Sequence, residues 1–208
     1  MGQTNKCALI IADGREEDRL PGRFESRESS STLMQYVLDS VWTVADDILV
    51  TFAKEPSLTL IESIAPFGVK LTVDRVGTGA LLMIVSGLNA SSSENCLVVS
   101  VSTPFVKPNV IFQLFEEVRS HDAAVPRWAD GRIEPLLAVY KKKAFLKAAA
   151  ARRGDDLQAL IDDLYAVTFV SIEEKLKPLD PDLLSFFKIT SDADFTRAKA
   201  IATTQEGY

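Results

Sequence analysis

The chain contains few side chains that bind soft or borderline metals, with one histidine and two cysteines among 208 residues. This scarcity argues against a structural zinc site, which uses four such ligands. Cys7 and Cys96 each begin an apolar run, which predicts small core residues with free thiols in a reducing compartment. The segment before Cys7 is too short and too polar for a secretion signal, so we expect a cytoplasmic protein.

Excess positive charge and long apolar runs are also absent. The net charge is −6 and the pI is near 4.9, which excludes the basic footprint of a nucleic-acid-binding protein. No apolar run reaches the ~18 residues of a membrane-spanning helix, so we expect no membrane partner. Hydrophobic residues make up 47% of the chain, which is enough for the core of a single domain over residues 1–208.

Apolar runs alternate with helical patterns through the first half of the chain. Strands are predicted at 7–12, 47–52, 68–74 and 96–102, the first of them buried on both faces. Helices are predicted at 32–44, 57–64, 78–90 and 108–120. Thr32 and Gln35 form a capping box, and Pro108 suits a first helical position. This alternation indicates an α/β fold with three layers and a doubly wound, mainly parallel sheet.

The second half of the chain is less regular. Strands at 123–128 and 134–140 are predicted to form a hairpin-like connection through Asp130-Gly131. Two short strands are predicted at 167–172 and 186–189, and helices at 141–153, 155–164 and 192–202. The serine triplets at 29–31 and 91–93 are interpreted as loops.

The carboxyl ends of the parallel strands form the ligand crevice of such a sheet. The residues at these ends are Asp13, Gly14, Thr51, Asp74 and Ser102. The first of these loops follows a strand and precedes a helix, as in sites that hold a nucleotide phosphate. It nevertheless contains four carboxylates, Asp13, Glu16, Glu17 and Asp18. A carboxylate about 4 Å from a phosphate charge costs on the order of 4 kcal/mol, so this loop is a poor triphosphate site as written.

These positions resemble the molybdenum cofactor guanylyltransferases, which transfer GMP from GTP to molybdopterin. In the first loop, Ala12 and Gly14 lie on matching residues, and Arg23 lies where the family has a lysine. Further matching segments follow in the same order over nearly the whole chain: Leu33-Met34-Gln35-Tyr36-Val37-Leu38, Asp74, Gly79-Ala80-Leu81, Thr103-Pro104-Phe105, Glu134-Pro135-Leu136 with Tyr140, and residues 186–191.

The resemblance implies a Rossmann-like nucleotidyltransferase fold of the GT-A type. Residues 7–122 would form the nucleotide-binding half, and residues 123–208 an acceptor-side lobe with a closing helix. The implied nucleotide contacts are Ile11, Ala12, Asp13, Gly14, Arg23, Thr51 and Asp74. Glu134 would bind the acceptor, and Arg23 and Ser102 occupy catalytic positions. The implied partners are GTP or a related nucleotide and a molybdopterin-like acceptor, with Mg²⁺ as cofactor.

The chain departs from the family pattern where the chemistry is expected. Asp13 replaces a loop glycine, Asp18 replaces the loop arginine, and Ser102 replaces the magnesium-binding aspartate. Lys188 and Thr190 replace two asparagines near the C-terminus. Two functions therefore stay open: a divergent guanylyltransferase, or a regulatory protein that binds a nucleotide or cofactor and has lost the transfer step.

Individual residues also have structural interpretations. Arg23 could pair with a neighbouring acid, Asp74 could be a polar strand end, and Glu134 could end a hairpin. Thr51 fits a half-exposed strand position equally well. For Asp194 and His121 we favour structure, as a helix cap and as a histidine at a helix C-terminus: Ser191 and Asp194 have capping spacing, and His121 follows a helix.

Overall fold

A computed structural model of the chain describes residues 5–12, 14–21, 30–74, 79–152 and 154–205. The strands are β1 Lys6–Ala12, β2 Arg19–Pro21, β3 Ser30–Thr32, β4 Asp47–Phe52, β5 Lys70–Val73, β6 Asn95–Ser100, β7 Ala123–Arg127, β8 Leu137–Lys141 and β9 Val167–Ser171. The helices are α1 Leu33–Trp42, α2 Leu58–Ile64, α3 Ala80–Ala90, α4 Pro108–Glu117, α5 Lys142–Ala150, α6 Leu157–Asp162 and α7 Asp192–Gln205.

Seven strands form one sheet in the order β5-β4-β1-β6-β8-β7-β9. Neighbours pair in parallel except on the two sides of β8, so the predicted mainly parallel sheet is confirmed. Every β1 residue from Cys7 to Ala12 is buried, as expected for a central strand of continuous apolar sequence. Strand β5 lies at one side of the sheet, and its sequence alternates between polar and apolar residues.

Helices cover both faces of the sheet and complete the three layers. Along β1, alternate side chains enter opposite cores because successive Cβ atoms point to opposite faces. Ala8 and Ile10 pack with helices α1, α2, α4 and α7, while Leu9 and Ile11 pack with α3, α5 and α6. Among the described residues, no helix has both the length and the apolar composition to cross a membrane.

Local sequence signals account for several element boundaries. The Thr32 hydroxyl accepts from the Gln35 N–H and the Gln35 side chain accepts from the Thr32 N–H, which confirms the capping box of α1. Pro108 is the first residue of α4, as predicted. Cys7 and Cys96 are buried and free, and they lie opposite each other in the β1–β6 register.

Two predictions about local structure are wrong. Residues 186–189 do not form a strand: Leu184–Phe186 is a 3-10 helix, in which the buried Asp180 carboxylate accepts from the Ser185 N–H at 2.7 Å. Of the serine triplet predicted as a loop, Ser30 and Ser31 belong to β3, which pairs antiparallel with β2, and Ser29 lies outside the described residues. The Ser185 hydroxyl also accepts from the Lys107 N–H at 3.0 Å, 78 residues earlier, so in both places contacts with other parts of the chain override a weak local pattern.

The C-terminal half continues the sheet. Strands β7 and β8 pair antiparallel, as predicted, with Ala123 opposite Tyr140. Strand β8 begins at Leu137, three residues later than predicted, because Glu134 belongs to the turn that precedes it: its carbonyl accepts from the Leu137 N–H at 3.1 Å. The division into a nucleotide-binding half and an acceptor-side lobe stays a prediction.

Candidate active site

The backbone brings the carboxyl ends of four parallel strands together, those of β1, β4, β5 and β6. Ile11 lies opposite Thr51 of β4, and its carbonyl accepts from the Val101 N–H just after β6 at 3.0 Å. On the other side of β4, the Asp74 N–H donates to the Phe52 carbonyl at 2.8 Å. The residues that the sequence analysis assigned to a crevice therefore follow neighbouring strands. Asp13 and Arg23 lie outside the described residues.

In the loop after β1, acidic side chains of the loop bind one of its backbone N–H groups and one of its arginines. Gly14 has φ of 102°, a left-handed conformation that glycine adopts without strain. Its N–H donates to the Glu16 carboxylate at 2.8 Å, and Glu16 is buried. Arg15 forms an ion pair with Asp18 at 3.0 Å. One backbone donor and one cation of this loop are therefore engaged by acidic side chains of the loop itself.

Thr51 is fully buried on the α3 side of the sheet. Its hydroxyl lies 2.7 Å from that of Thr72 on β5. A Cβ added at Gly87 of α3 would lie 2.7 Å from the Thr51 Oγ1 atom. The side chain therefore fills the space under α3, and the structure does not bring it to the crevice surface. This burial differs from the half-exposed position that the sequence suggested.

Asp74 follows β5 and is 4% exposed. Its main chain continues the β4–β5 ladder by one hydrogen bond, so the backbone at Asp74 is fixed relative to β4. Helix α3 begins six residues later, at Ala80. In the chain, Asp74 thus lies between the end of β5 and the start of α3, and its role as a nucleotide contact stays a prediction.

Glu134 is the centre of a buried polar cluster. One carboxylate oxygen accepts from the Trp128 indole N–H at 2.8 Å, and the other forms an ion pair with the Lys188 ammonium. Glu134 is 8% exposed, so this carboxylate is withdrawn from water and is held by two donors. Sequence analysis identified Glu134 but missed both partners. Lys188 carried a signal as a charged residue in place of an amide.

The backbone around Glu134 is also fixed. The Glu134 N–H donates to the Pro126 carbonyl at 3.0 Å. The Tyr140 hydroxyl donates to the Pro135 carbonyl at 2.9 Å. Tyr140 is fully buried, and this burial raises the pKa of its phenol well above the usual range. Tyr140 is therefore a neutral hydrogen-bond donor that holds the turn carrying Glu134.

Trp128 also borders an open pocket of about 330 Å³. Its lining residues are Arg127, Trp128, Ala129, Gly131, Phe169, Ser171 and Glu174. The Arg127 guanidinium lies 4.6 Å from the centre of the Phe169 ring, a cation–π geometry that orders this wall. The pocket is therefore adjacent to the Glu134 cluster and lies on the side of the C-terminal strands.

A backbone hydrogen bond of Ser102 connects the segment that contains Lys188 to the end of β6. Its carbonyl accepts from the Ile189 N–H at 2.9 Å, and its own N–H donates to the Ser100 hydroxyl at 3.0 Å. Ser102 is 8% exposed. The residue after Lys188 is thus hydrogen-bonded to Ser102, which brings positions 102, 134 and 188 together.

The described residues do not fit a metal ion held mainly by protein. Among them, no three histidine, cysteine, aspartate or glutamate side chains are grouped as a metal site. Ser102 offers a neutral hydroxyl, whereas Mg²⁺ prefers carboxylate and phosphate oxygens in a strict octahedron. Glu134 is already engaged by Lys188 and Trp128.

Two other candidates have structural roles. His121 Nδ1 lies 3.1 Å from the Glu117 carbonyl near the end of α4, as expected for a histidine at a helix C-terminus. The Asp194 carboxylate accepts from the backbone and hydroxyl groups of Thr190 and Ser191 at the start of α7. These hydrogen bonds hold the pKa of Asp194 below its usual range. The interpretation of Asp194 as a helix cap is confirmed.

Comparisons with known proteins agree with this architecture. The MobA-like NTP transferase domain matches residues 1–167. A probable molybdenum cofactor guanylyltransferase of Methanosarcina mazei is 30% identical over 199 residues, covering 91% of this chain and 88% of that protein. The molybdenum cofactor guanylyltransferase of Desulfosudis oleivorans is 29% identical over 195 residues, covering 92% and 93%.

Solved structures show the same arrangement of elements. Molybdopterin-guanine dinucleotide biosynthesis protein A from Archaeoglobus fulgidus superposes with a TM-score of 0.74 at 25% identity, covering 96% of this chain and 99% of that one. The 2-C-methyl-D-erythritol 4-phosphate cytidylyltransferase of Thermus thermophilus has a TM-score of 0.67 at 22% identity, covering 94% and 98%. The second likeness concerns the fold alone. The expected Rossmann-like nucleotidyltransferase fold is therefore confirmed.

Proposed function

We propose that this chain, which belongs to the MobA-like NTP transferase family, transfers GMP from GTP to molybdopterin or a related phosphorylated cofactor precursor. An acceptor phosphate oxygen attacks the α-phosphate of GTP, a new phosphoanhydride bond forms, and pyrophosphate leaves. One observation supports the proposal above all: the ends of β1, β4, β5 and β6 lie together with the buried Glu134 and its partners. The chain is also similar to guanylyltransferases over 91% of its length.

The nucleotide side of the site is assigned to Ile11, Ala12, Gly14 and Asp74, together with the predicted residues Asp13 and Arg23. Peptide N–H groups after β1 would hold phosphate oxygens, and Asp74 would hold the guanosine. The Gly14 N–H becomes available when the Glu16 carboxylate leaves it. Glu16 must move away from bound phosphate in any case, since two such charges about 4 Å apart repel by about 4 kcal/mol at an effective dielectric near 20.

We propose that Thr51, which is buried, supports the nucleotide side of the site without contacting the nucleotide. Its hydroxyl contact with Thr72 links β4 to β5, and β5 leads directly to Asp74. We assign its contribution to the placement of Asp74 and not to a contact with the base.

The acceptor side is assigned to Glu134 and the pocket beside Trp128. Both lie toward the C-terminal strands, whereas Asp74 follows β5 at the other side of the sheet. The acceptor phosphate would then approach the α-phosphate between these two sides, near Ser102.

Nucleotidyltransferases of this type generally use a divalent metal ion. For this chain we propose Mg²⁺, arriving as its complex with GTP and held mainly by the phosphates, because Mg²⁺ often binds through few protein carboxylates. The metal supplies positive charge to the phosphates. No protein residue is assigned as its ligand. The free thiols of Cys7 and Cys96 agree with a reaction in the cytoplasm.

The alternative function, a protein that binds a nucleotide or cofactor without transfer, rests on Ser102 and on the acidic first loop. The curated relatives are named as guanylyltransferases and cover the chain almost from end to end, so we favour the enzyme. Where the ligand of the alternative is a nucleotide, both functions place it at Asp74 and differ in whether product forms.

The test is a transfer assay with GTP labelled at the α-phosphate and with molybdopterin, in the presence of Mg²⁺. The expected products are labelled molybdopterin guanine dinucleotide and an equal amount of pyrophosphate. Asp74→Asn should lower kcat/KM for GTP by at least tenfold. Asp47→Asn, which changes an aspartate at the opposite end of β4, is the matched control and should keep the activity. Binding of GTP without labelled product at any acceptor concentration would favour the alternative.

A further inference from the structure

Positions 102, 134 and 188 form a connected unit in which only Lys188 carries a positive charge. The Ile189 N–H donates to the Ser102 carbonyl at 2.9 Å, so the backbone next to Lys188 is fixed beside the end of β6. From there the Lys188 ammonium reaches the Glu134 carboxylate, 54 residues earlier in the chain. The lysine therefore lies between the position of the expected catalytic group and that of the expected acceptor contact.

Burial makes this ion pair asymmetric. The Glu134 side chain is 10% exposed, and the indole of Trp128 also donates to it. The Lys188 side chain is 38% exposed, so a ligand in the crevice can reach it. If the ammonium moves to another anion, Glu134 keeps the Trp128 hydrogen bond. The pair can thus hold the lysine in place and also release it.

The positive charge of Lys188 suggests that this residue binds an anion. With the Glu134 carboxylate included, a divalent cation bound to one further carboxylate gives a net charge of zero, and a serine with a neighbouring lysine gives the same net charge. Ser102 lacks the carboxylate that would hold a metal, and Lys188 supplies a cation where the resemblance has a neutral amide. A lysine ammonium is a compact charge with three donors, which suits the oxygens of a phosphate group.

We propose that Lys188 is a phosphate-binding cation of this crevice and that Glu134 holds its ammonium in position until a phosphate group replaces the carboxylate. The ligand is a phosphate-bearing molecule, either the nucleotide or the acceptor. This inference rests on the proposed function for the identity of these two sources. It goes beyond that function by naming the residue that meets their phosphate.

The experiment measures binding by titration calorimetry at low ionic strength with EDTA, so that no metal contributes. The probes are GTP alone and inorganic phosphate alone. Lys188→Gln should weaken binding by about tenfold or more, since a hydrogen bond to a charged group contributes at least about that factor. Lys188→Arg keeps the charge and should stay within about threefold of wild type.

Glu134→Gln separates phosphate binding from a structural role. In the proposal, this change releases the ammonium from its competing carboxylate, so phosphate should bind at least as tightly as to wild type. If the ion pair served only to hold the fold, Glu134→Gln and Lys188→Gln would weaken binding together. Lys70→Gln is the matched control: Lys70 pairs with Asp47 at 2.9 Å at the amino ends of β4 and β5, and its loss should leave binding unchanged.

The two probes identify the source of the phosphate. Loss of affinity for GTP in Lys188→Gln assigns the lysine to the nucleotide. Loss with inorganic phosphate and a raised KM for molybdopterin, with GTP binding intact, assigns it to the acceptor. Equal binding of both probes by Lys188→Gln and wild type overturns the inference, and so does parallel weakening in Glu134→Gln.

Failure of the proposed function and failure of this inference give different experimental results. Wild type that forms labelled dinucleotide, with Lys188→Gln equal to it in every binding and kinetic measurement, overturns the inference alone. Wild type that binds inorganic phosphate through Lys188 but forms no dinucleotide overturns the proposed function alone. Thermal unfolding of each variant shows whether it is folded in the assay.

Discussion

The carboxylate of Asp155 accepts a hydrogen bond from the backbone N–H of Leu81, 74 residues earlier, with 2.9 Å between Oδ1 and N. Helix α3 has no side-chain cap of its own, since its N-cap residue is Gly79. A Cβ added to Gly79 would lie 1.5 Å from Asp155 Oδ2. The aspartate thus caps α3 from a distant loop and occupies the space that the glycine leaves. The contact ties the segment before α6 to the helix that follows Asp74.

Removing this cap should destabilise the protein. Asp155→Ala is expected to lower the free energy of unfolding by about 1 kcal/mol, within the range for loss of a helix N-cap. Gly79→Ala should cost a similar amount or more, because its methyl group displaces the same carboxylate. In the double variant the effects should be less than additive, since the displaced group is already absent. Urea unfolding of the four proteins measures this cycle.

Asp182→Ala is the control for the loss of a charge, since Asp182 is exposed. It should leave the free energy of unfolding within about 0.5 kcal/mol of wild type. Additive costs in the cycle would contradict the role of Asp155 as the cap of α3.

The Tyr140 hydroxyl should matter for both stability and acceptor binding. Tyr140→Phe leaves the partly buried Pro135 carbonyl without its donor, which should cost about 1–2 kcal/mol in the free energy of unfolding. Because Pro135 follows Glu134, the change should also raise KM for the acceptor while KM for GTP stays the same. Phe145→Leu, which alters the ring packed against Tyr140, is the control for stability loss without the hydroxyl. Equal changes in both KM values would show that Tyr140 does not act through the Glu134 turn.

What the sequence could predict depends on how far apart the interacting residues are. Strand β1 and the capping box of α1 were predicted because their signals are local: a continuous apolar run, and a threonine three residues before a glutamine. The partners of Glu134 could not be predicted, because Trp128 and Lys188 meet only after β7, β8 and the last loop are placed. The 3-10 helix at Leu184–Phe186 also depends on a carboxylate outside the apolar run, that of Asp180.

Substitution of Gly87 tests how closely α3 packs against the sheet, because helix propensity and close packing predict opposite changes in the free energy of unfolding. In an exposed helix position, Gly→Ala stabilises by about 0.8–1 kcal/mol because alanine has the higher helix propensity. At Gly87 a Cβ would lie 2.3 Å from Leu9 and 2.7 Å from Thr51, so overpacking should win. We expect Gly87→Ala to lower the free energy of unfolding by about 1–3 kcal/mol.

Asn89→Ala, at an exposed position of α3, is the matched control and should not destabilise. Stabilisation by Gly87→Ala would mean that Thr51 and Leu9 do not pack against this helix, and Thr51 would then be free to face the crevice.

Acid pH should weaken the contact between α4 and the segment after β9. The Lys175 ammonium hydrogen-bonds the Glu117 carboxylate at 2.7 Å and lowers its pKa below the ordinary value of 4.5, with help from Gln113 and the His121 charge. A carboxyl group whose folded pKa lies below its unfolded pKa stabilises the fold above the unfolded value. That stability is lost as the pH falls through the folded pKa.

The free energy of unfolding of wild type should therefore fall below about pH 4.5, and Glu117→Gln should remove part of this dependence. Lys175→Gln, which removes the main cause of the shift, should reduce the same slope. Urea unfolding between pH 3 and 7 measures the effect. Parallel curves for wild type and Glu117→Gln over this range would exclude the ion pair as a source of acid sensitivity.

The final prediction concerns the exchange of a carboxylate for a lysine at positions 102 and 188. Ser102→Asp with Lys188→Asn introduces at both positions the residues that the family resemblance implies. The double variant should bind GTP at least tenfold more tightly with Mg²⁺ than with EDTA, because an added carboxylate can share the metal with the phosphates. Ser102→Asp alone should gain less, since the new carboxylate lies near the Lys188 backbone and competes for its ammonium, so the two changes should couple.

Wild type should show little Mg²⁺ dependence of GTP affinity in the same calorimetric titration, because the positive charge at this place is already supplied by Lys188. Ser102→Asn with Lys188→Asn is the matched control, since it has the same size as the restored pair but adds no carboxylate. A wild-type protein whose GTP affinity rises tenfold or more with Mg²⁺ would contradict the prediction. It would show that other protein residues hold the metal together with the phosphates.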